Sequence, residues 1–128
     1  MFELKIKTHF AGAHQLAMVG EKCENLHGHN WHVEVYILGE KLNSAGVLVD
    51  FADIKKAVRQ VVNKEFDHKF LNELEIFKDY QPTSERIAEY IAKRTQELLN
   101  KNINEKVKVS KVSVYESFDS CASFFPNI

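Results

Sequence analysis

Proline is scarce in this chain. Pro82 and Pro126 are the only two in 128 residues, so other residues must punctuate the elements. Cysteine is equally scarce. Cys23 and Cys121 are too few for a disulfide framework, and two free thiols fit a reducing cytoplasm, although one disulfide remains open to them. No stretch approaches the ~18 consecutive apolar residues of a membrane-spanning helix. Met1 to Lys7 alternates charged with apolar residues and lacks the core of a signal peptide. Neither sign of charge dominates: 17 Lys and Arg face 18 Asp and Glu, for a formal charge of −1. That balance excludes a strongly basic nucleic-acid binder and an acidic tail protein. Repeats, low-complexity tracts and Pro/Gly/Ser linkers are also missing. The expectation is one domain over residues 1–128 with a single core, placed in the cytoplasm, with neither nucleic acid nor membrane as partner.

What is abundant is histidine. Five of the six (His9, His14, His27, His29 and His32) fall within the first 32 residues.

Residues 2–10 alternate, with Phe2, Leu4, Ile6, Thr8 and Phe10 on one side and Glu3, Lys5, Lys7 and His9 on the other, as in a half-buried strand. Residues 27–39 form a second strand with Trp31, Val33, Val35 and Ile37 on one face. Asp50 caps a helix whose Phe51, Ile54, Val58, Val61 and Val62 recur at helical spacing to about Lys64. Thr83 caps a second helix with Ile87, Ile91, Leu98 and Leu99 as its apolar stripe, ended by Asn100 and Asn102. Residues 107–116 make a third strand. Its parity changes near Ser110-Lys111, which a β-bulge explains, unless both faces are partly buried. Residues 121–125 make a short fourth. The order β-β-α-α-β-β predicts an α+β fold, a four-stranded antiparallel sheet with two helices on one face. Its two open edges predict pairing with neighbouring subunits.

His27-Gly28-His29 places two imidazoles on one face of a strand, because residues i and i+2 point the same way. His14 shares the parity of the apolar side of the first strand, if that strand runs so far. His9 and His32 take the opposite sides of their strands. Parity therefore selects His14, His27 and His29 as metal ligands. Three imidazoles with an open fourth position are the pattern of a catalytic zinc, whereas structural sites close all four.

Other groups keep two or more readings. Cys23, four residues before His27, is a fourth zinc ligand, a thiolate base or nucleophile beside the metal, or a plain free cysteine. Cys121 reads as a small packing residue. Asp67-His68 is either a carboxylate holding an imidazole in one tautomer or an exposed polar turn. Glu116 has the parity of Val112 and Val114 on the apolar side. It is either a buried carboxylate in need of a ligand or a strand end in solvent.

Taken in order, these segments resemble one family. Phe10-Ala11-Gly12-Ala13-His14 and Cys23-Glu24-Asn25-Leu26-His27-Gly28-His29 are similar to the zinc motifs of the 6-pyruvoyl-tetrahydropterin synthase / 6-carboxy-tetrahydropterin synthase family. Gly46 to Phe51, Phe66 to Asn72, Pro82-Thr83-Ser84-Glu85 and Val114-Tyr115-Glu116-Ser117 continue the resemblance in register. Gly12 stands where the family often has alanine, and Phe66 where leucine is usual; both changes concern packing.

The resemblance implies the tunnelling fold, whose trimers close a barrel and pair into a hexamer with active sites at subunit interfaces. It implies that His14, His27 and His29 hold Zn2+ and that Cys23 is the catalytic thiol. Asp67 and His68 form a relay reaching the site from an adjacent subunit. Glu116 anchors a pterin ring, assisted by Thr83. The implied substrate is 7,8-dihydroneopterin triphosphate. The compact C-x-x-x-H-G-H spacing resembles the bacterial carboxy branch, which forms 6-carboxy-5,6,7,8-tetrahydropterin, acetaldehyde and triphosphate on the way to queuosine. The pyruvoyl activity on the same substrate is the alternative. A non-catalytic zinc module with Cys23 as fourth ligand is the alternative of another class.

Overall fold

The computed structural model describes residues 1–17 and 26–127. Two long strands, β1 (Phe2–His14) and β2 (His27–Gly39), pair antiparallel along their whole length. Helix α1 (Phe51–Val61) follows, then the two-residue β3 (Lys69–Phe70), helix α2 (Ser84–Asn102), β4 (Lys108–Ser117) and β5 (Ser120–Phe124). The sheet order is β3-β1-β2-β4-β5.

Both helices cover one face. From the sheet, Ile6, Phe10, Trp31, Val33, Val35, Ile37, Val112 and Val114 are buried; from the helices, Ile54, Val58, Val61, Ile87, Ile91 and Leu99 meet them. Each such side chain contributes about 1.5–3 kcal/mol by leaving water. Asp50 and Thr83 cap the helices as expected, accepting from the Ala52 N–H at 2.8 Å and the Arg86 N–H at 3.1 Å. The parity change in β4 is a bulge: Lys111 pairs with Tyr36 and Val109 with Ile37, so Ser110 is the extra residue.

Three expectations change. The sheet has five strands, and β3 lies parallel to β1, pairing Gly12 with Lys69 and Ala13 with Phe70. A two-residue strand is too short to show a period, and hydrogen bonds from the preceding Asp67-His68 hold it in place. β1 also continues past Phe10 to His14. The first helix leaves α geometry at Val61 and ends in a π turn, Val62–Phe66. That turn keeps Val61, Val62 and Phe66 all fully buried. Its Glu65 accepts a 2.5 Å hydrogen bond from the Tyr90 hydroxyl; burial, then Glu65, pushes that phenol up to about 12. Among the described residues, no helix is long and apolar enough to cross a membrane.

Candidate metal centre

β1 and β2 place the selected histidines by register alone. His14 pairs with His27 across the ladder, and Gly12 pairs with His29. All three side chains point to the helix-covered side, at the end of the sheet where the core thins out. The two histidines set aside by parity face the other way, where His9 and His32 pair across the same ladder with ring centroids 5.9 Å apart.

The site rests on Trp31, which is fully buried. Its ring stands nearly perpendicular to those of His14 and His29, with centroids 5.0 and 5.2 Å away, and its N–H donates to the Gly12 carbonyl at 3.1 Å. His14 is itself buried. Its Nδ1 lies 2.9 Å from the carbonyl oxygen of Pro82. A carbonyl can only accept, so Nδ1 carries the proton, which in the neutral ring leaves Nε2 as the atom able to bind a metal. A backbone oxygen that fixes the tautomer of a ligating histidine is the usual second partner of such a ligand.

His14 Nε2 lies 3.0 Å from His27 Nε2. Glu116 Oε1 lies 3.1 Å from His14 Nε2, 2.9 Å from His29 Nε2 and 3.8 Å from His27 Nε2. The donor atoms of His14, His27, His29 and Glu116 all fall within 4.8 Å of one another. One atom tests whether this set fits a metal. His29 Nε2 is buried and makes no hydrogen bond, despite a carboxylate oxygen at 2.9 Å. A buried nitrogen left without a protein partner is what a metal-binding set requires. Burial, more than any other influence, holds the His29 imidazole below its ordinary pKa, with His27 and His14 acting the same way and Glu116 opposing. Neutral imidazole is the form that binds metal. Three imidazole nitrogens with a carboxylate oxygen suit zinc.

Glu116 joins the cluster through a second bulge. In the pairing of β4 with β5, Tyr115 meets Cys121 and Ser117 meets Ser120, so Glu116 has no opposite residue. Thr83 stands next to Pro82. Its oxygen accepts the helix-capping bond, which leaves its hydroxyl proton to donate.

Asp67 and His68 pair, with Oδ2 3.0 Å from Nδ1. They form no part of the four-residue cluster. Asp67 Oδ1 accepts from the Ala11 N–H at 2.9 Å, and the His68 N–H donates to the Ala11 carbonyl at 2.6 Å. His68 adopts φ 58°, a left-handed backbone that costs a non-glycine residue roughly 1–3 kcal/mol, and its side chain is 82% exposed. An imidazole held this way faces outward. Cys23 lies outside the described residues. Cys121 is exposed on β5 rather than packed.

The Ala11 N–H, and to a lesser degree His68, keeps the Asp67 carboxyl below the usual carboxylate range. A depressed native pKa adds stability above the unfolded value of about 3.9 and loses it as pH falls through the native value. The wild-type urea midpoint is thus expected to fall more steeply from pH 5 to pH 2 than that of Asp67→Asn. Parallel curves would remove this role.

Two amide side chains escaped the sequence reading. Asn72 makes a pair of hydrogen bonds with the backbone of Gln15, at 2.8 and 2.7 Å. Gln81 does the same with Ala17, donating to its carbonyl at 2.8 Å and accepting from its N–H. Together with Pro82 they fasten the chain just beyond His14. Contacts between residues so far apart leave no local pattern.

The sequence model of the family described as 6-pyruvoyl tetrahydropterin synthase matches residues 3–127. An Archaeoglobus fulgidus protein provisionally named a 6-carboxy-5,6,7,8-tetrahydropterin synthase is 42% identical over 91% of this chain and 90% of its own. A Pyrococcus furiosus protein named dihydroneopterin monophosphate aldolase is 36% identical over 86% of this chain and 85% of its own. The structure of a Caenorhabditis elegans protein titled 6-pyruvoyl tetrahydropterin synthase superposes with a TM-score of 0.84, covering 98% of this chain and 96% of that one at 24% identity, so the tunnelling fold is shared. With its histidines in register on β1 and β2 and the match running nearly end to end, the chain belongs to the 6-pyruvoyl tetrahydropterin synthase family.

Proposed function

We propose that this protein is a zinc-dependent 6-carboxy-5,6,7,8-tetrahydropterin synthase. Its substrate is 7,8-dihydroneopterin triphosphate. With one water, the substrate yields 6-carboxytetrahydropterin, acetaldehyde and triphosphate. The dihydropterin ring gains the electrons that the three side-chain carbons together lose on becoming a carboxylate and acetaldehyde, so no external redox partner is needed.

The observation that carries this reading is the convergence of three imidazole nitrogens and one carboxylate oxygen over a buried indole. His14, His27 and His29 would hold the zinc. When bound, zinc polarises the side-chain oxygens of the substrate and eases their deprotonation. Glu116 accepts two N–H bonds from the pterin, a charge-assisted and directional contact, and the Thr83 hydroxyl donates to a ring acceptor. Cys23 takes and returns protons at the side-chain carbons. Asp67 keeps His68 protonated at Nδ1, so that Nε2 can act as proton acceptor. The outward-facing His68 and the sheet edges at β3 and β5 support a hexamer of two trimers, in which His68 serves a neighbouring subunit's zinc.

The zinc-loaded protein incubated with 7,8-dihydroneopterin triphosphate is expected to release acetaldehyde and 6-carboxytetrahydropterin, detected by mass spectrometry. A pyruvoyl product would assign the alternative branch. A 6-hydroxymethyl pterin made from the monophosphate would assign the aldol cleavage for which the Pyrococcus furiosus relative is named.

A further inference from the structure

We propose that Glu116 works in two positions. In the pterin-free protein it is the fourth metal ligand, and on substrate binding it leaves the metal for the pterin ring. The metal site would then open only when substrate is present. The inference rests on the zinc and pterin reading above.

Three observations lead to it. The first is spacing. Ligand bonds of about 2.0–2.1 Å put the corners of a tetrahedron about 3.3–3.4 Å apart. Glu116 Oε1 lies 3.1, 2.9 and 3.8 Å from the three imidazole nitrogens, so it takes a corner beside them. The second is an unused donor atom. His29 Nε2 is buried without a hydrogen bond although that oxygen is 2.9 Å away, which leaves the nitrogen for a cation. The third is placement. Glu116 is the extra residue of a bulge near the end of β4, and its side chain is 37% exposed. Bulges re-aim side chains, and a carboxylate at a rim reaches both inward and outward.

The two positions exclude each other. Anchoring a pterin through two N–H bonds uses both carboxylate oxygens, and a metal takes one of them. Zinc and pterin therefore compete for Glu116, and coupling between two ligands is reciprocal. A carboxylate in the fourth position would keep bulk water off the metal in the pterin-free protein.

Unsubstituted pterin is the probe, because it has the ring and no side chain to bind the metal. Zinc affinity is measured by chelator competition, without and with saturating pterin, in wild type, Glu116→Gln and Glu116→Ala. Cobalt(II) substitution reports coordination by its visible spectrum. Saturating pterin is expected to weaken zinc binding to wild type by tenfold or more and to shift the cobalt spectrum. Both variants are expected to bind zinc more weakly by a similar factor, with no further effect of pterin. Equal zinc affinity with and without bound pterin in wild type would overturn the exchange while leaving the site reading intact. A wild type that binds no pterin, or no zinc, would overturn the site reading itself. Circular dichroism of each variant separates a lost ligand from a lost fold.

Discussion

His29→Ala is expected to fold normally and to bind zinc about 100- to 1000-fold more weakly than wild type. Apparent zinc binding energies of about 10–16 kcal/mol, divided over four ligands, give roughly 2.5–4 kcal/mol for each. At 1.4 kcal/mol per tenfold, that is two to three powers of ten. His29 is the best of the three to remove. Its Nε2 makes no hydrogen bond that the fold would miss, whereas buried His14 also binds the Pro82 carbonyl. His9→Ala and His32→Ala are the controls, since their rings lie together, tilted, on the opposite face of the sheet. They are expected to leave zinc affinity unchanged. Chelator competition reads all three variants. Wild-type affinity in His29→Ala would remove it from the ligand set.

Cys23→Ala is expected to keep its zinc and to lose about 100- to 10,000-fold in kcat, the range for removing a group that transfers protons in the transition state. In the proposed mechanism the positive charge of bound zinc would favour the thiolate that such a base requires. The measurement also separates the enzyme from the closed zinc module. If Cys23 were the fourth ligand, the variant would lose metal along with turnover. If it were a bystander, both would survive. The place of Glu116 Oε1 among the three imidazoles favours retained zinc with lost turnover, because a cysteine ligand would compete with it for the fourth position.

The histidine cluster was legible because strand geometry is periodic. One rule, that alternate residues share a face, separated His14, His27 and His29 from His9 and His32, and the ladder pairs them accordingly. The Ser110 bulge was legible for the same reason, as a break in parity. Glu116 was half legible. Its parity marked it as facing inward, but its arrival among the histidines depends on a bulge against β5 that leaves no trace in hydrophobic alternation. The π turn that ends the first helix and the two-residue β3 were not legible, because both are set by tertiary contacts. Phe66 must reach the core, and Asp67 must reach Ala11 on a strand 56 residues away. The amide pairs of Asn72 and Gln81 were hidden for that reason too.

Acetaldehyde release from 7,8-dihydroneopterin triphosphate, followed with zinc-loaded, chelated and zinc-restored protein, tests the central claim most directly. The expected result is one acetaldehyde per 6-carboxytetrahydropterin, lost on chelation and recovered with zinc. Turnover that survives complete removal of the metal, or zinc-loaded protein that consumes the substrate without releasing acetaldehyde, would contradict it.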